Sequence, residues 1–138
     1  MNEVLDAMEE RRSIRKYKPD SVPKEIIDKI IRAGTYTANG MGRQSAIIVA
    51  VTNKELRDRL SKMNAEIGGW KPDFDQFYGA PVVLIVLAET SWMNCLYDGS
   101  LVLGNLMLAA PSLGIGSCWI HRASGGLETA AGKASLHT

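Results

Sequence analysis

The sequence predicts an α+β domain, a mixed sheet flanked by helices, and three observations lead there. Short β-branched apolar runs at residues 46–52, 81–88 and 114–120 are separated by segments with the 3.6-residue apolar period of helices. The 138 residues amount to one domain, which at this size buries roughly 68% of the surface its unfolded chain exposes. Hydrophobic residues make up 46% of the chain and only two are cysteines, so a core rather than disulfide staples holds the fold. A net charge of +1 and 22% charged residues exclude a disordered polyelectrolyte and a basic nucleic-acid binder. The longest apolar runs, 79–88 and 101–110, are about half of the ~20 residues a membrane helix needs, so no membrane partner is expected.

Taken in order, residues 2–12 place Val4, Leu5 and Met8 on one stripe of a short helix that ends in Arg11 and Arg12. Pro23 suits the first turn of a second helix, where its missing N–H costs nothing; Ile26, Ile27, Ile30 and Ile31 form its apolar face and Gly34 offers a stop. Residues 35–44 carry two glycines and an Asn-Gly pair without period, the mark of an exposed loop. The run 46–52 is apolar on both faces and predicts an interior strand covered on both sides. Asn53 then caps a helix in which Leu56, Leu60 and Met63 face inward, with Arg57, Asp58, Arg59 and Lys62 on the wet side. Residues 68–78 have no period, and 81–88 form a second buried strand. The segment 98–110 is apolar almost all round, the pattern of a helix enclosed by protein, with a kink or end at Pro111. Residues 114–120 supply a third strand, and the small, polar residues of 123–138 predict a loose tail.

Arg11, Arg12 and Arg15 with Ser13 are the first chemical candidates, because guanidinium forks and a hydroxyl near a chain reversal suit a phosphate. The alternative is a solvated cluster favoured by the helix macrodipole and neutralised by Glu9 and Glu10. Residues 126–134 imitate a Walker A loop, but the glycine spacing is one residue too long and Ala134 replaces the metal-binding hydroxyl. Cys118 and His121 lack a second ligand pair, so no metal is predicted. No Gly-x-Ser-x-Gly elbow supports a hydrolase, and Trp70, Trp92 and Trp119 are scattered as packing residues rather than as a stacking platform for nucleic acid. Cys95 and Cys118 read as buried free thiols; with an opening Met-Asn-Glu and no charged-then-apolar leader they point to a cytoplasmic protein.

Four stretches together resemble the FMN-dependent nitroreductase family: Arg11-Arg12-Ser13-Ile14-Arg15-Lys16-Tyr17; Asn39-Gly40-Met41-Gly42-Arg43-Gln44; Tyr78-Gly79-Ala80-Pro81-Val82-Val83; and the segment from Asp98-Gly99-Ser100-Leu101 through Asn105-Leu106 to Gly114-Ile115-Gly116-Ser117-Cys118-Trp119-Ile120. The resemblance spans residues 1–122. It implies a nitroreductase-like, homodimeric α+β fold holding FMN in interface clefts, with NADH or NADPH as electron donor and a nitroaromatic, quinone or similar small molecule as acceptor. By matching position it implies that Arg11, Arg12, Ser13 and Arg15 reach the FMN phosphate, ribityl chain and pyrimidine edge. Arg15 is the cation that eases hydride acceptance there. It implies that Ala38, Asn39, Gly40 and Gln44 lie on the loop that the partner subunit lays against the flavin, that Asp98 and Leu101 approach the same cleft, and that Ile120, His121 and Arg122 present a backbone amide to it. No catalytic triad is implied.

The sequence also departs from the family pattern. Ser45-Ala46 replaces a bulkier pair, Pro111 interrupts a helix, and after Arg122 the resemblance gives way to the tail, making this a short or divergent member. Relatives continue there with basic FMN-phosphate ligands, so weakened FMN affinity is expected. The alternative to a working oxidoreductase is a shortened flavin-binding or interaction module with little turnover. The apolar circumference of 98–110 exceeds what a small three-strand core can cover, which independently predicts a homodimer.

Overall fold

The computed structural model describes residues 2–121, in the order α1 (Glu3–Glu10), α2 (Lys24–Thr35), a 3-10 turn (Gly40–Gly42), β1 (Ile47–Val51), α3 (Lys54–Gly68), β2 (Val83–Leu87) and α4 (Cys95–Ser112). Expectations for Arg122 and for 123–138, the Walker-like stretch included, lie outside the described residues. The chain forms two compact units. Of the described residues, the first comprises 2–14, Val22–Ala50 and Leu84–Trp119; the second takes Arg15–Ser21, Val51–Val83, Ile120 and His121.

In the first unit the core is Ile30 from α2 with Val102, Leu106 and Ala110 from α4, ringed by Ile26, Ile48, Leu84 and Val86 among others. The α4 residues recur every four positions and so share one face, and that face packs on α2. Asn105 Nδ2 adds a 3.0 Å bond to the Ala33 carbonyl near the end of α2. Gly34 does not stop α2. It is buried one residue before the end, where a Cβ would lie 2.7 Å from Leu106 Cδ2 and 2.9 Å from Ile48 Cδ1. A missing side chain there lets the two helices approach.

Several expectations change. The helix α4 is not enclosed all round: Leu96 and Tyr97 are exposed, and Leu101 is 50% exposed. It runs one residue past Pro111, which falls in its last turn rather than ending it. The stripe of α1 forms as expected and is exposed in the chain, with Val4, Leu5 and Met8 all turned outward. Among the described residues β1 and β2 form a two-stranded sheet. The third run, 114–120, contributes only an isolated parallel bridge between Ser13 and Ser117. The reason is that Gly114, at φ +76°, and Ile115 close the end of α4 through bonds to the Pro111 and Ala110 carbonyls, which leaves little extended chain to pair. β1 is also not covered on both sides, since Ile47 and Ala50 are exposed while Val51 is buried.

In the second unit Asn53 caps α3 as predicted, its Oδ1 accepting from Leu56 N at 2.8 Å. Arg57 is a correction: it is buried, not on the wet face. The aperiodic stretch after α3 explains this. Asp75 accepts hydrogen bonds from Arg57 Nη2, from Ser61 Oγ at 2.7 Å, and from the backbone N–H groups of Phe77 (3.0 Å) and Gly79 (2.7 Å). Arg57 Nε donates to the Ala80 carbonyl at 2.9 Å. Burial pushes the Asp75 carboxyl up, but these donors outweigh it and hold its pKa below the ordinary range. A charged knot therefore fixes a segment that has no regular structure. Of the tryptophans Trp92 is buried, whereas Trp70 and Trp119 are partly exposed; both cysteines are free and half-buried.

Candidate functional site

Two neighbourhoods of the first unit gather most of the predicted residues. At the end of α1 the chain turns extended at Arg11 (φ −52°, ψ 130°) and runs to Ser13, which bridges Ser117 while Ile14 N donates to the Ser117 carbonyl at 2.9 Å. Arg12 folds back, its Nη1 donating to the carbonyls of Glu9 (2.6 Å) and Arg11 (2.8 Å). That is helix capping, as the macrodipole reading of the cluster anticipates. Arg11 differs: its Nη1 is buried with no hydrogen-bond partner, and so is Ser117 Oγ across the bridge. Unpaired buried donors are costly, and a guanidinium nitrogen more so than a hydroxyl. Both are suited to an anionic oxygen-rich group, which is the chemistry a phosphate offers.

The second neighbourhood is the loop ahead of β1. Asn39 Oδ1 accepts from Gln44 N at 2.9 Å, closing a turn in which Met41 and Gln44, neither of them glycine, hold φ values of 54° and 48°. Asp98, in the first turn of α4 and 4% exposed, uses one carboxylate oxygen to accept from Gly40 N and the other to accept from Trp92 Nε1, both at 2.9 Å. Arg43 lies 4.7 Å from the centre of the Trp92 ring and pairs with Glu89 at 3.2 Å. Asn39, Gly40, Gln44 and Asp98 are thus brought together. Ala38 is exposed on the same loop, and Leu101 lies one turn beyond Asp98 on α4.

Arg15, Ile120 and His121 belong to the second unit, Arg15 and His121 exposed and Ile120 half-buried; Arg122 lies outside the described residues. Sequence reasoning missed Trp92, Arg43 and Glu89 as parts of the loop's support. No local signal marks them, since Arg43 and Glu89 are 46 positions apart and meet only through the fold. No helix among the described residues is long and apolar enough to cross a membrane.

The chain matches the family model described as Nitroreductase family over residues 8–125, and it belongs to that family. It shares 33% identity over 124 residues with a Methanothermobacter thermautotrophicus protein whose name includes NAD(P)H nitroreductase, covering 85% of this chain and 60% of that one. It is 29% identical to the FMN reductase [NAD(P)H] of Bacillus subtilis, covering 85% of this chain and 53% of the relative. The chain thus spans between half and two thirds of these two curated relatives. Among solved structures, a nitroreductase with bound FMN from Bacteroides fragilis superposes with TM-score 0.87 at 31% identity, covering 99% of this chain and 79% of that one. A second with bound FMN, from Desulfitobacterium hafniense, gives TM-score 0.83 at 28% identity, covering 92% and 74%.

Proposed function

We propose that this chain binds FMN and, with NADH or NADPH as electron donor, reduces small-molecule acceptors of the nitroaromatic or quinone class. The observation that carries the reading is a pair of buried polar atoms without hydrogen-bond partners, Arg11 Nη1 two residues before the Ser13 bridge and Ser117 Oγ at its other end, in a fold shared with nitroreductases whose structures contain FMN. When bound, the flavin supplies reversible acceptance of a hydride, and the protein binds, orients and tunes it. Arg11, Ser13 and Ser117 form the donor set for the phosphate and ribityl oxygens, with Arg12 sharing its remaining donors after capping α1. Arg15 supplies positive charge where accepting a hydride builds negative charge. On the family resemblance, Ile120 and His121 are assigned a backbone N–H role toward the flavin. The loop of Ala38, Asn39, Gly40 and Gln44, with Leu101, forms the wall that a second subunit contributes.

The homodimer in this reading is supported by what α1 and α4 leave uncovered. These helices pack together and turn Val4, Leu5 and Met8, and Leu96, Tyr97 and Leu101, outward. Exposed apolar side chains on two helices that pack together are the kind of surface a partner subunit covers. The test is direct. Protein incubated with FMN and then dialysed should hold a yellow flavin that NADH or NADPH bleaches and an added quinone restores, and the released cofactor should be FMN rather than FAD. Flavin that binds but is never bleached would reduce the chain to a binding module. No flavin binding at all would end the proposal.

A further inference from the structure

Asp98 stands out as a buried carboxylate whose two oxygens are both taken by protein donors at good geometry, Gly40 N–H and Trp92 Nε1–H, each at 2.9 Å. At 4% exposure and with a protein donor on each oxygen, this side chain presents little surface to a ligand. We infer that Asp98 is a positioning residue, which ties the Asn39–Gln44 loop to α4 and so sets the backbone that the site presents. The functional half of this inference rests on the reading of that loop as a wall of the flavin cleft.

The need for such a tie follows from the loop's conformation. Met41 and Gln44 both sit in the left-handed region, which costs roughly 1 kcal/mol or more for each non-glycine residue and persists only where surroundings over-determine it. The surroundings do so at three points. Asp98 holds Gly40 from below. Asn39 Oδ1 holds the Gln44 N–H. Trp92 is itself fixed by Asp98 and fills the space beside Gly40, where a Cβ would lie 3.0 Å from Trp92 Cζ2 and 2.7 Å from Asn94 Nδ2. The outer face of the same indole carries Arg43, which Glu89 holds by an ion pair. Asp98 touches both the loop backbone and the indole nitrogen, so both contacts fail together when it is altered. Sequence similarity placed Asp98 near the cleft; its geometry says that it acts there through Gly40.

The experiment combines amide hydrogen exchange with flavin titration on the full chain. Asp98→Asn is nearly isosteric, but its amide offers one acceptor oxygen, so Gly40 N–H or Trp92 Nε1–H must face an NH₂ group. The expected result is exchange at 40–44 faster by tenfold or more, with protection in α2 and the second half of α4 unchanged, and an FMN dissociation constant raised at least tenfold. Gly40→Ala perturbs the same contact from the loop side and should reproduce both effects, which keeps the test valid if Asp98→Asn does not fold. Unchanged exchange at 40–44 in a folded variant would overturn the positioning role. A loosened loop with unchanged FMN affinity would overturn its functional half. If the parent protein binds no FMN, the proposed function fails, and the exchange data still decide whether Asp98 positions the loop.

Discussion

At the scale of single residues, neighbours of the same type do different work because their partners differ. Arg12 is adjacent to Arg11, yet Arg12 caps α1 while Arg11 keeps a buried nitrogen unpaired. Arg11→Glu should therefore weaken FMN binding by at least a hundredfold, since a charge reversal replaces a charge-assisted donor worth about 1.5–3 kcal/mol with repulsion. Arg12→Ala should cost the helix about 0.5–1 kcal/mol and affinity less than tenfold. Fluorescence titration and urea unfolding separate the two. Asp75 carries the clearest pH dependence. Its folded pKa lies below the ordinary value of about 3.9, so its contribution is fully present above that value and is lost as pH falls through the lower folded one. Asp75→Asn should destabilise the protein by about 2–3 kcal/mol at pH 7, less than for a fully buried pair because Arg57 keeps Asp58 and the Ala80 carbonyl. The gap between wild type and variant should then narrow as urea unfolding is repeated below about pH 4.

At the scale of elements, Gly34 separates propensity from packing. In an isolated helix an alanine would gain about 1 kcal/mol over glycine. Here the added Cβ meets Leu106 Cδ2 and Ile48 Cδ1 within 3 Å, and Leu106 is buried among core residues. Overpacking of this kind costs about 1–3 kcal/mol, so Gly34→Ala should show a net loss of about 1 kcal/mol or more in urea unfolding instead of the gain that propensity alone predicts. The N-cap of α3 behaves in the opposite, local way. Removing the Asn53 Oδ1 acceptor in Asn53→Ala should cost about 1 kcal/mol whatever α3 packs against, and the same measurement checks it.

At the scale of the whole molecule, the prediction concerns association. The helices α1 and α4 are packed together, and their outward apolar side chains give a surface on which a charge would be buried without a partner in any dimer. Leu5→Asp combined with Leu96→Asp should convert a dimer to a monomer at micromolar concentration in sedimentation velocity, with far-ultraviolet dichroism intact because neither residue is buried in the chain itself. A parent chain that sediments as a monomer would remove the partner-wall role of Asn39 and Gln44.

What the sequence by itself determined is local in origin. The isoleucine face of α2, the Asn53 cap of α3, the two strands at β1 and β2 and the exposed glycine loop at 35–44 all follow from period, capping chemistry and turn residues within about a dozen positions. The family motifs were legible for a similar reason, because each is a short contiguous string. What only the tertiary structure decided is which polar groups are satisfied and by what. Asp98 meets Gly40 across 58 positions, Arg57 meets Asp75 across 18, and Arg11 Nη1 is left without a partner while Arg12 Nη1 is not. The run at 114–120 has strand composition but spends its first residues closing α4, and the helix that reads as enclosed leaves Leu96, Tyr97 and Leu101 exposed. Burial and hydrogen-bond satisfaction depend on which segments arrive opposite one another, and no local window of sequence contains that information.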